Sequence, residues 1–197
     1  MIKAIIFDVG GTYAAGSITT FVNKSYKILN IDKTFSTNEQ VIFDANLNKG
    51  LISHENCFKK YFNVPISDEQ MAEIKKAWTT NWIPTEEMLE LVKNLAKSYR
   101  LAILSNSDSL NSEKFEKQGC YKYFDPIILS HELAILKPDI KIYDITLEKL
   151  NLNANECLFI DDQEKVLVPA RELGMDTILF KSLPQLKEEL GLRGIKF

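Results

Sequence analysis

A chain that runs Lys3-Ala4-Ile5-Ile6-Phe7 and then breaks at Asp8-Val9-Gly10-Gly11-Thr12 has few folds open to it. The apolar run reads as a buried strand, and the Gly-Gly pair marks a sharp turn at its carboxyl end. Asp8 is thereby carried to the rim where open α/β sheets bind their ligands. A carboxylate among glycines, whose bare backbone lets a ligand approach the amides, suits a nucleophile. An Asp that only caps its own turn fits the same local pattern, so the remainder of the chain has to decide.

From Arg100 onward the pattern alternates. Buried-strand runs at 100–105, 126–129, 157–161 and 177–180 are separated by helical runs at 110–118, 139–150 and 164–173, two of them closed by Gly119 and Gly174. Alternating βαβα units predict an α/β fold with a doubly wound parallel sheet. The first strand must rejoin that sheet, because alone it has no partner for its backbone groups.

Between them the pattern is helical throughout. Ile18, Phe21, Val22, Tyr26 and Leu29 fall at helical spacing, as do Val41, Ile42 and Leu47 before Gly50, and then Cys57, Phe58, Tyr61 and Phe62 after a start near Ser53. Ser67-Asp68-Glu69-Gln70 has the form of a capping box opening a helix with Met71, Ile74 and Trp78, and Pro84-Thr85-Glu86-Glu87 opens another. The expected organisation is an α/β core at 1–15 and 83–197, with residues 16–82 an all-helical cap inserted after Asp8.

With 197 residues, 45% hydrophobic and 26% charged, the chain has the composition of an ordinary soluble globular protein. A net charge of -3 gives no electrostatic reason to expect nucleic acid or an anionic membrane surface as partner. No apolar run is long enough to span a bilayer, and the N-terminus has no signal-peptide pattern, so a cytoplasmic location is expected. The three cysteines lack C-x-x-C spacing and read as small buried hydrophobes. Two histidines are too few for a histidine metal site, and His131 reads as structural.

Strand ends of a parallel sheet share one rim, so three later groups can converge on Asp8: Ser105-Asn106, Lys137, and Asp161-Asp162. Singly these are a helix cap, a surface charge and a turn. Together they form a carboxylate nucleophile, a hydroxyl with backbone amides for oxyanions, a neutralising lysine, and an acidic pair for Mg²⁺. That set suits phosphoryl transfer through an aspartyl-phosphate.

Phe7-Asp8-Val9-Gly10-Gly11-Thr12, Leu104-Ser105-Asn106-Ser107, Leu136-Lys137-Pro138-Asp139 with Ile142-Tyr143, and Leu158-Phe159-Ile160-Asp161-Asp162 with Ala170-Arg171-Glu172-Leu173-Gly174-Met175 occur in an order that resembles the haloacid dehalogenase (HAD) superfamily. The resemblance implies a Mg²⁺-dependent phosphatase of small phosphorylated metabolites, closed by a small helical cap. It implies Asp8 as nucleophile and metal ligand and the Gly10 carbonyl as a further ligand. Gly11, Ser105 and the Asn106 amide would hold phosphoryl oxygens, and Lys137 would bridge Asp8 and the phosphate. Asp162 would be the main carboxylate ligand, with Asp161 its neighbour or alternate.

Three positions depart from that pattern. Gly10 stands where most phosphatases of the family carry a second Asp as general acid, Val166 where an acid or Asn supports the metal site, and Tyr13 where an aliphatic residue follows Thr12. Asp44, His54 and Glu55 are the nearest candidates for a substitute acid from the cap. The alternative reading is a non-catalytic HAD fold that binds a phosphorylated ligand or a protein partner. A dehalogenase would need a cap-side arginine, and no Arg precedes Arg100.

Overall fold

The computed structural model describes residues 1–35 and 45–197. Among these the elements are β1 (Ala4–Phe7), α1 (Ile18–Ile28), α2 (Ala45–Asn48), α3 (His54–Phe62), α4 (Asp68–Thr79), α5 (Glu86–Leu95), β2 (Arg100–Ser105), α6 (Ser109–Lys117), β3 (Ile127–Leu129), α7 (Ser130–Leu133), α8 (Ile140–Leu150), β4 (Cys157–Asp161), α9 (Glu164–Glu172), β5 (Asp176–Leu179) and α10 (Leu183–Leu192). The strands form one parallel sheet in the order β3-β2-β1-β4-β5. Chain order runs outward from β1 to β3 and resumes on the other side with β4, so the sheet reverses direction between β1 and β4, where such folds open a ligand crevice.

Alternate residues of each strand face opposite sides. Ile5, Phe7, Leu101, Ile103, Leu158 and Ile160 pack under α5, α6 and α10 through Met88, Leu91, Phe115, Leu186 and Leu190. Ala4, Ile6, Ala102, Leu104 and Phe159 pack under α8 and α9 through Ile142, Tyr143, Val166 and Leu167. A third apolar cluster gathers Phe21 and Val22 of α1, Phe58 and Phe62 of α3, and Ile74 and Trp78 of α4. The helical block thus has a core of its own, with Trp78 edge-on to Phe21 at 4.7 Å.

Local chemistry sets the helix ends. The Ser67 hydroxyl accepts from the Gln70 amide at 3.2 Å while the Gln70 side chain accepts from the Ser67 amide at 3.0 Å, the reciprocal box expected from the sequence. The helix expected at 139–150 starts at Ile140 because Asp139 is its N-cap, and α6 starts one residue before the expected 110 because Asp108 caps it. The single turn α7 had no sequence signal. Val41, Ile42 and Asp44 lie outside the described residues.

The chain crosses between sheet and helical block twice, and the two crossings pair. Ala15 and Ile83 exchange backbone hydrogen bonds of 3.1 and 2.9 Å in an antiparallel bridge. Gly16 is confined there, since a Cβ would lie 2.3 Å from the Trp82 ring and 2.6 Å from the Asn81 carbonyl. No helix among the described residues is long and apolar enough to cross a membrane.

Candidate active site

Strand register builds the centre of the site. Phe7 is paired with Ile103 on β2 and with Ile160 on β4. One residue further along, Leu104, Asp8 and Asp161 therefore stand in one row across the sheet's carboxyl rim, and the Asp8 amide donates to the Ile160 carbonyl at 2.9 Å. Lys137 reaches this row from the loop before α8. Its Nζ donates to Asp8 Oδ1 at 2.7 Å, Asp161 Oδ2 at 2.6 Å and the Leu104 carbonyl at 2.9 Å, which engages all three ammonium protons. The family resemblance implies that Lys137 bridges Asp8 and a phosphate; in this structure it bonds Asp8 and also Asp161.

The row is buried, with Asp8 6%, Lys137 5% and Asp161 1% exposed. Burial pushes the Asp8 carboxyl up to about 6, Lys137 pulls against that rise, and Asp161 and Asp162 add to it. Burial alone would lower the Lys137 ammonium, but Asp8 and Asp161 outweigh it and raise it. Asp162 is also raised, by burial and then by Asp161. Three carboxylates facing one lysine leave a surplus of negative charge that a cation would neutralise.

A magnesium ion fits these donors. Asp8, Asp161 and Asp162 each offer an oxygen, all within 4.8 Å of one another, in keeping with an octahedral oxygen site that also takes a carbonyl and waters. Asp161 has little left to give, since Oδ2 accepts from Lys137 and Oδ1 from the Gln163 amide at 2.8 Å. Asp162 and the second oxygen of Asp8 remain. The hydrogen bonds inside the 8–14 turn use the carbonyls of Asp8, Val9 and Ala14 and leave that of Gly10 out.

Gly11, expected to help hold phosphoryl oxygens, also shapes the turn. Its amide donates to the Ala14 carbonyl at 3.0 Å, so it closes the turn. What the site needs there is the missing side chain: φ is +89°, and a Cβ would stand 2.5 Å from Asp162 Oδ2. Gly11→Ala therefore meets left-handed strain of about 1–2 kcal/mol and displaces the Asp162 carboxylate. A thermal melt should show the destabilisation, and calorimetric titration should show Mg²⁺ binding weakened about tenfold or more.

Ser105 ends β2, buried beside this row. The Asn106 side chain has a role that sequence reasoning missed. Its Nδ2 donates to the Lys137 carbonyl at 3.0 Å and its Oδ1 accepts from the Lys137 amide at 2.8 Å, fixing the lysine's backbone. Val166 is buried in the core, with its carbonyl accepting from Tyr143 Oη at 2.7 Å. Tyr13 is a packing residue edge-on to Phe124, its hydroxyl donating to the Cys120 carbonyl. His131 Nδ1 lies 3.1 Å from the Ser107 carbonyl. Of the three cysteines, Cys57 and Cys157 are buried and Cys120 half-buried.

Among the described residues, no acid comes within 4 Å of where a Cβ on Gly10 would stand. A Cβ there would meet only the Trp82 ring, at 3.8 Å. His54 is engaged by Asp108 at 2.7 Å, and Glu55 is paired with Lys75 at the surface.

The profile of haloacid dehalogenase-like hydrolases matches residues 5–180. The chain belongs to this family. Among HAD proteins it is 26% identical to D-ribitol-5-phosphate phosphatase of Bacteroides thetaiotaomicron, over 96% of this chain and 97% of that one. It is 23% identical to glyceraldehyde 3-phosphate phosphatase of Methanothermobacter thermautotrophicus, over 92% and 87%. A match to mouse bifunctional epoxide hydrolase 2, at 25% identity, covers 96% of this chain but 38% of the relative. A HAD family enzyme of B. thetaiotaomicron, solved with magnesium and inorganic phosphate, superposes with a TM-score of 0.75 at 26% identity, over 94% of this chain and 99% of that one. The parallel sheet and its flanking helices are thus the HAD α/β fold, and that B. thetaiotaomicron neighbour was solved with magnesium.

Proposed function

We propose that the protein is a Mg²⁺-dependent phosphatase of a small phosphorylated metabolite, working through an aspartyl-phosphate on Asp8. The observation that carries this reading is the buried row: one carboxylate at the sheet's switch point, aligned by Lys137, with a second acidic pair beside it. The phosphatase relatives and the magnesium-phosphate neighbour support it.

An Asp8 oxygen attacks phosphorus and the bond to the leaving oxygen breaks, leaving the phosphoryl group on Asp8. With no acid at residue 10, the leaving oxygen takes its proton from water. Water then attacks the phosphorus, releasing inorganic phosphate and restoring the carboxylate. Lys137 keeps Asp8 ionised and aimed, Asp161 anchors Lys137, and Asn106 fixes the lysine's backbone while its amide, with the Ser105 hydroxyl, receives phosphoryl oxygens. Bound Mg²⁺, held by Asp8, Asp162 and the Gly10 carbonyl, would offset charge on the phosphoryl oxygens. Residues 16–82 act as the cap that excludes water and selects the substrate.

Turnover of a panel of aryl, acyl and sugar phosphates should therefore require Mg²⁺ and vanish in excess chelator. Phosphate binding without turnover of any ester would favour a binding protein, the reading to which the missing acid at Gly10 lends support.

A further inference from the structure

Several of the groups that hold the helical block against the sheet converge on α6. Asp108, its N-cap, is 3% exposed and lies three residues beyond Ser105. Its Oδ1 receives His54 Nε2 at 2.7 Å and the Asn111 amide at 3.2 Å; its Oδ2 receives Trp78 Nε1 at 3.1 Å and Asn111 Nδ2 at 2.8 Å. An ionised carboxylate only accepts, so His54 Nε2 carries a proton. Two of the four donors come from the first turn of α6, as for any helix cap. The other two come from α3 and α4 of the helical block. Burial alone would raise the Asp108 carboxyl, and the bonds from His54 and Asn111 outweigh it and hold it low.

The same short segment carries the clamp. Asn106 is tied to Lys137, and the Ser107 amide donates at 3.0 Å to Ser130 Oγ, which itself donates to the Asn48 carbonyl of the helical block at 2.6 Å. Further along α6, Lys114 Nζ donates to the carbonyls of Thr79, where α4 ends, and of Trp82, beside the Ala15–Ile83 crossing. Lys114 thus lies beside the crossing at residues 15 and 83. His54 reaches Asp108 from another helix, beside a cavity of about 500 Å³ lined in part by Ser53, Glu55, Lys75 and Ser109. A rotation about the crossings would separate His54 from Asp108 and open that contact to water from the cavity.

We infer that Asp108 is a positioning residue that couples seating of residues 16–82 on the sheet to alignment of the Ser105-Asn106 clamp, with His54 as the releasable half of the latch. The inference rests on the cap and clamp roles given above. Its physical basis is that a buried carboxylate which loses charge-assisted donors must either draw in water or move. Withdrawal of the block therefore disturbs the segment that carries Ser105 and Asn106, and seating restores it.

The test uses the full chain as wild type, His54→Ala, His54→Gln and Asp108→Asn. It reads amide hydrogen exchange in α3 and in residues 105–108, with and without Mg²⁺ and inorganic phosphate, and kcat and KM on an aryl phosphate. His54→Ala should speed exchange in both segments about 10- to 100-fold. It should raise KM by about tenfold while kcat stays within about twofold, because substrate must then hold the block seated. His54→Gln, which keeps a donor, should recover most of both effects. Should His54→Ala fail to fold, Asp108→Asn should show the faster exchange in its place. A folded His54→Ala with wild-type exchange in both segments and wild-type KM overturns the latch. Exchange needs no turnover, so a protein that hydrolyses no ester would overturn the phosphatase reading and still allow the latch to be judged.

Discussion

Asp8→Asn should lower kcat/KM by roughly 10⁴-fold or more while the thermal melt holds or rises. An amide is a poor nucleophile toward phosphorus, and loss of the attacking group of a covalent mechanism costs on this scale. The fold should survive because Asn has the shape of Asp and its amide oxygen can still accept from Lys137, whose other two protons stay on Asp161 and Leu104. Burial already pushes the Asp8 carboxyl up to about 6, so the native structure carries a strained charge at neutral pH that the substitution removes. Turnover of Asp8→Asn within tenfold of wild type, measured on purified folded protein, would remove Asp8 from the chemistry.

Gly10→Asp should speed hydrolysis of alkyl phosphates selectively. A placed general acid contributes about 10²- to 10⁴-fold where the leaving group is a poor one, and far less where it is an aryloxide or an acyl group. The wild type should therefore favour an aryl or acyl phosphate over a sugar phosphate, and Gly10→Asp should narrow that gap. The backbone permits the change. Gly10 is absent from the glycines with positive φ, and an added Cβ meets only the Trp82 ring at ordinary van der Waals distance. Gly11 next to it is the glycine that the turn demands. A matched aryl and alkyl pair assayed in both proteins gives the answer. A wild type that cleaves both esters equally fast would show that another group already supplies the proton.

What could be read from the sequence was whatever leaves a periodic or terminal signal. Asp8, Ser105 and Asp161 end apolar runs, and parallel strands bring such ends to one rim, so their convergence is legible in the sequence alone. Ser67 and Gln70 are three residues apart and announce their own helix. The division of labour between Asp161 and Asp162 was not legible, because it depends on register: Asp161 falls in the row of Asp8 and meets Lys137, while Asp162 turns toward Gly11. The partners of Asp108 were equally hidden. His54 and Trp78 are 54 and 30 residues away and sit among apolar residues spaced for a helical core, so nothing local marks them as donors to one carboxylate. Trp82 over Gly10 and the Asn106 side chain on Lys137 belong to the same class of long-range pairing.

The most direct measurement is of the covalent state of Asp8 during turnover. The wild type with Mg²⁺ and an aryl phosphate, quenched in acid before the first turnover is complete and digested, should yield the peptide containing Asp8 with the added mass of one phosphoryl group. The adduct should be absent in Asp8→Asn and in excess chelator. Steady turnover under those conditions with no phosphoryl group on that peptide would contradict the account.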